Sequence, residues 1–283
     1  MKKVVLILLL TPLFSLAQSN ETSSRYTNSI IQAEELSIYF GWNRSGYSLS
    51  SISFEGEDYN FTLSDLQALD KQTEFSFENY FHLDNITIPQ TNMGITYNPS
   101  HKVVLSLNVD HMKYKVVRGQ NTSIDGTIEG DYESWKGIYE NEAIIMTNDL
   151  LKFEHTDGLN YINLGYSRVL IDKKIFKSIG VTADAGGSAG FMLPKTNSEL
   201  LGKDRHDDFN LAGCGIGVHS GVLVHIGKPF FFGFNAKGGF INMPNMRTTQ
   251  NKADSASQHF FFVQGNFIFG FTINTKKIKK PSN

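Results

Sequence analysis

Cysteine is nearly missing from this chain: Cys214 stands alone. An intrachain disulfide is excluded, and so is any metal site built from several thiolates. Proline is sparse, at seven residues, so long stretches can donate every backbone N–H to a sheet. Beyond residue 17 no run approaches the ~20 apolar residues that a membrane-crossing helix needs. Excess charge is lacking too. The net charge is -2, and nothing suggests a nucleic-acid partner.

What is present begins with an export signal. Lys2 and Lys3 precede an apolar stretch that Thr11 and Pro12 interrupt and Leu13 resumes. Ser15 and Ala17 place small residues three and one before a cleavage position, leaving Gln18 first. The stretch is too short for a transmembrane anchor. No cysteine follows the cut, which argues against a lipoprotein. The expected organisation is a cleaved signal peptide at 1–17 and one barrel domain at 18–283.

Glycine (25) and phenylalanine (22) are abundant. Glycine suits tilted strands in a narrow barrel, and Phe suits a face towards lipid. The C-terminal half alternates accordingly. Phe261, Val263, Phe267, Phe269 and Phe271 face one way, with Gln264, Asn266 and Gly270 opposite. Phe230, Phe232, Phe234 and Ala236 alternate with Phe231, Gly233, Asn235 and Lys237. Short turns at 98–101, 172–177 and 227–229 alternate with long polar connections near 51–83, 118–150, 194–208 and 246–258. This pattern predicts an all-β, antiparallel up-and-down transmembrane barrel with strands near 36–48, 86–97, 103–116, 152–170, 178–193, 209–226, 230–243 and 259–274. Extra hairpins within 51–83 or at 142–147 would raise the count to ten or twelve. A short helix fits 64–71, with Ser64 as its cap. The soluble alternative is a secreted β-sandwich. Trp42, Tyr39 and Tyr166 read as interfacial aromatics.

Several segments form a familiar set: Gly41-Trp42-Asn43-Arg44, Tyr59-Asn60-Phe61-Thr62-Leu63, Val109-Asp110-His111-Met112-Lys113-Tyr114, Phe153 to Tyr161, Lys237 to Pro244, and Gln258-His259-Phe260-Phe261-Phe262. With them the chain resembles an uncharacterised family of bacterial outer-membrane β-barrel proteins. The resemblance implies that fold and location and carries no activity.

Extending the alternation gives a candidate polar lumen containing Asn43, Asn92, Asp110, His155, Asp157, Asn163, Asp184, His219, Asn235, Lys237, Gln264 and Asn266. The plainest reading is a filled interior in which these groups satisfy one another, with the barrel acting as a scaffold for its loops. A second reading is an enzyme acting on lipid or lipopolysaccharide, with His155 beside Asp157 or Asp110 as general base. Ser220 is a poor nucleophile beside His219, because adjacent strand residues face opposite ways. A third reading is a cation site at Asp110, His155 and Asp157, and a fourth is a small pore. No cofactor is expected. The expected partners are outer-membrane lipid and lipopolysaccharide, with the extracellular ligand unknown. The 118–150 connection is acidic, though Tyr132, Trp135 and Tyr139 suggest that it packs. The basic tail at 276–280 reads as a membrane-rim segment.

Overall fold

The computed structural model describes residues 29–85, 88–132 and 134–275. The expected signal peptide and the basic tail lie outside the described residues. Fourteen strands are present: β1 (Glu35–Tyr47), β2 (Ser50–Gly56), β3 (Tyr59–Leu66), β4 (Ala68–Asp70), β5 (Thr91–Ser100), β6 (Val103–Val116), β7 (Asn121–Ile128), β8 (Gly137–Ile145), β9 (Leu151–Phe176), β10 (Ile179–Leu200), β11 (His206–Phe209), β12 (Gly213–Ile226), β13 (Phe230–Arg247) and β14 (Ser255–Asn274). A short α-helix, α1 (Phe77–Phe81), starts at Ser76, whose hydroxyl accepts the Asn79 N–H, and a 3-10 turn follows at Leu83–Asn85.

Eight of these strands form a ring in the order β1, β5, β6, β9, β10, β12, β13, β14. The ring closes because β1 pairs with β14 along its whole length, from Glu35↔Asn274 to Tyr47↔Phe262. Every pairing is antiparallel. These are the eight strands expected from the alternation. Closure leaves no open edge in the ring, so every backbone polar group there can be satisfied without water.

The connections at one end are tight, and Glu35 at the start of β1 and Asn274 at the end of β14 lie at that same end. The long connections at the other end are not loose loops. Here β14 pairs onward with β2, β2 with β3, β3 with β7 and β7 with β8, while β4 pairs with β6. Together with the long ends of β6, β9, β10 and β13 they build a folded β lobe. The helix expected at 64–71 is absent there. Leu63 and Leu66 are needed on the buried face of this sheet, and tertiary burial outweighs local propensity. A helix forms instead at α1, behind the Ser76 cap.

Sidedness reverses between barrel and lobe. On β6, Leu105, Leu107 and Val109 face outward while Ser106, Asn108 and Asp110 face the lumen. Past His111 the apolar residues change parity: Met112, Tyr114 and Val116 are buried inside, and Lys113 and Lys115 stand outside. β14 behaves alike, with Gln264 and Asn266 inside the barrel and Phe262, Phe260 and Ala256 inside the lobe. Below the reversal the exposed face is a belt that includes Leu164, Ile216, Val218, Phe234, Val263 and Phe267. Above it lies one dry core, where Phe54, Phe61, Leu63, Tyr114, Phe153 and Phe260 pack together. Phe54 stacks on Phe61 at 5.2 Å, and Tyr114 on Phe260 at 5.0 Å.

Candidate functional site

Inward-facing polar residues of the ring surround a chamber of about 130 Å³. Its centre is a charge pair. Lys237 Nζ lies 2.5 Å from Asp110 Oδ2, and both side chains are buried. The register explains their meeting, since inward positions of β6 and β13 face each other across the narrow lumen. Asn163 donates to the same carboxylate at 3.1 Å, and Asn92 donates to its other oxygen. Asn108 Nδ2 donates to Asn163 Oδ1 at 3.0 Å. Tyr39 donates to Asn108 Oδ1 at 2.7 Å, so this tyrosine points into the lumen and not to the interface expected of it. Tyr166 stays outside, paired with Leu105. A second cluster joins Ser167 to His219 Nε2 at 2.7 Å, with Asp184 Oδ2 3.9 Å from the same nitrogen. Asn266 donates to Asn235 Oδ1 at 3.3 Å. Asn43 donates to the backbone oxygens of Thr91 and His111, each at 3.1 Å.

Two sequence candidates sit elsewhere. His155 follows the inward parity of β9 but lies above the chamber, inside the dry core. Its ring packs against Phe153 (5.0 Å) and Tyr114 (5.7 Å). Neither ring nitrogen has a hydrogen-bond partner among the described residues. Burial pushes its imidazole down to about 3, so the ring is neutral at ordinary pH and has nothing to exchange a proton with. Asp157 leaves the lumen altogether. Between His155 and Leu159 the β9 register against β6 slips, and Gly158 takes φ +142, a region closed to most side chains. The bulge swings Asp157 outward, towards Lys195 (3.8 Å) and Arg205 (3.9 Å). Asp110, His155 and Asp157 thus occupy chamber, core and outer surface. They do not converge on a base, a nucleophile or a cation.

Among the described residues, the chamber is bounded by the lobe at one end and by a strap of chain at the other. The dry core closes the lobe end. At the turn end, residues 29–34 cross the mouth. A slip in the β9–β10 register between Ala183 and Asp184 re-aims Asp172 into the opening. There Asp172 accepts the Ile30 N–H at 2.8 Å, the Ile31 N–H at 3.3 Å and the Ser29 hydroxyl. His101 Nδ1 meets Ile31 O at 2.7 Å. Ile30 seats on Gly180, where an added Cβ would come within 2.3 Å of Ile30 Cδ1. Asn108, Tyr39 and Ser167 were missed as lumen residues, although they share the parity of Asp110, Asn43 and Asn163. The role of Asp172 was not legible, because a bulge sets it.

No family model and no curated protein sequence matches the chain. Among solved structures, it is similar to the outer membrane protein OprG of Pseudomonas aeruginosa at 10% identity, covering 86% of this chain and 97% of that one, with a TM-score of 0.41. It is similar to Ail, the attachment invasion locus protein of Yersinia pestis, at 9% identity, covering 84% and 99%, with a TM-score of 0.28. The N-terminal β-barrel domain of Pseudomonas aeruginosa OprF gives 8% identity, 84% and 99% coverage and a TM-score of 0.28. The pairing and sidedness of the chain's own strands make it an eight-stranded transmembrane β-barrel of the outer-membrane type.

Proposed function

We propose that the protein is exported to the bacterial outer membrane and acts there as a closed scaffold that holds a folded β lobe at the cell surface. The reversal of sidedness carries this reading. Along β6 and β14 apolar side chains face out in the ring, where lipid would surround it, and face in within the lobe, where water would. With the start of β1, the end of β14 and the tight turns on the periplasmic side, the lobe stands outside the cell.

An eight-stranded barrel has little room for a pore, and the dry core and the residue 29–34 strap support a sealed lumen. The lobe offers a surface for a partner. Its sheet ends at β8, with Ile138 and Ile145 exposed. Glu140 and Glu142 on that strand are also exposed and discourage uncontrolled edge pairing.

The test combines two readouts on one protein. Purified protein in planar bilayers is expected to give no channel steps. An epitope inserted at the Glu57–Asp58 turn of the lobe is expected to be labelled on intact cells. Steady conductance, or an epitope reached only after cell lysis, would refute the proposal.

A further inference from the structure

The connection between β4 and β5 does not join the lobe core. It folds against the outer wall of the barrel. Trp42 projects outward from β1, level with Thr91 of β5 and so with His111 of β6, where the outer face turns polar. Phe81 of α1 packs on Trp42 at 5.3 Å. Trp42 packs on Phe269 of the apolar belt at 5.5 Å, and Phe269 on Phe40 at 5.8 Å. Phe77 lies 5.5 Å from Phe81, and Phe75 lies 5.1 Å from Tyr80. A row of rings therefore runs unbroken from the belt onto this segment.

Among the described residues those rings are largely uncovered. Phe75 is 68% exposed, Phe77 77% and Phe81 58%. Phe77 and Phe81 are four residues apart and share one helix face. The side of the segment towards the wall is fastened by polar contacts. Arg44 donates to Tyr80 OH at 2.6 Å, and Tyr80 OH donates to Thr73 O at 3.0 Å. Lys113 donates to Thr73 Oγ1 at 3.1 Å and to Ile88 O at 2.5 Å. Gln90 donates to Asp70 at 2.6 Å, and Asp70 accepts the Ser45 N–H at 3.0 Å. The segment is thus held at one height on the wall with its rings turned away from the protein.

We infer that Phe75, Phe77 and Phe81 form an aromatic foot that inserts into the outer leaflet of the membrane, at the boundary between headgroups and acyl chains. The inference rests on the membrane reading above and adds a second lipid contact, outside the ring. Lipid is the occupant because the foot continues the lipid-facing belt at the level where that belt ends. Aromatic rings favour this interfacial depth. The foot would fix the depth and tilt of the barrel and keep the lobe at a set height.

The experiment places single tryptophans in a Trp42→Phe/Trp135→Phe background, at Phe77→Trp for the foot and Phe234→Trp for the belt. Each protein is folded into phosphatidylcholine vesicles with bromine high on the acyl chains. Folding is checked by heat-dependent gel mobility. The expected result is blue-shifted emission at Phe77→Trp, with quenching comparable to that at Phe234→Trp and unchanged when the protein-to-lipid ratio is raised. Quenching at Phe234→Trp alone would overturn the foot and leave the barrel in the membrane. Emission at Phe77→Trp that shifts only at high protein density would assign the face to a second copy of the chain, and would also overturn the inference. Absence of quenching at both positions would overturn the membrane reading and the foot with it.

Discussion

Lys237→Ala should be the most damaging single substitution in the barrel, costing roughly 3–5 kcal/mol. It would leave the Asp110 carboxylate buried at 1% side-chain exposure with only amide donors around it. The cost comes from the stranded charge and not from lost attraction. The double variant Asp110→Asn/Lys237→Met should therefore recover most of the stability, because it removes both charges at nearly constant volume. Urea midpoints of the protein in lipid vesicles would measure both effects. If Lys237→Ala unfolds at the wild-type midpoint, Asp110 is solvated and the chamber is open to water.

Phe54→Ala should cost roughly 3–5 kcal/mol as well, but in the lobe. Phe54 is fully buried among Phe61 and Phe153, and its loss leaves a cavity that neighbouring strands cannot collapse to fill. The expected phenotype is divided. Proteases should cut the lobe connections sooner, and near-UV circular dichroism of the lobe tyrosines should weaken. The ring should keep its resistance to detergent and heat. Phe234→Ala, which removes an equally large ring from the exposed belt, should change the lobe signals little. Equal loss of ring and lobe in Phe54→Ala would mean that the two fold as one unit.

The ring was legible in the sequence because lipid outside and polar groups inside impose a period of two over long strands. Phe230 to Lys237 and Phe261 to Phe271 are clear cases. The same parity assigned Asn43, Asp110, Asp184, His219, Lys237 and Asn266 to one face of their strands. The lobe was hidden because its strands sit inside connections that look polar overall. Tyr59, Phe61 and Leu63 alternate as cleanly as barrel residues, but between Asn60 and Thr62 they read as loop. One signal for it was present on β6. The shift of apolar parity from Leu107 and Val109 to Met112 and Tyr114 marks where inside and outside exchange. Parity put Asp157 wrongly in the lumen and left Asp172 in a turn, because register slips in β9 decide where they point, and a bulge leaves little trace in composition. His155 kept the expected parity but lay past the reversal, so an inward histidine met rings and not carboxylates.

The exchange of faces along β6 offers the most direct measurement. In a Cys214→Ser background, nitroxide labels at Leu107 and at Lys115 sit on the same outer face of one strand, on either side of the reversal. In lipid vesicles the label at Leu107 should collide with dissolved oxygen and be shielded from a water-soluble nickel chelate, and the label at Lys115 should show the opposite. Free access of the chelate to Leu107 would contradict the account.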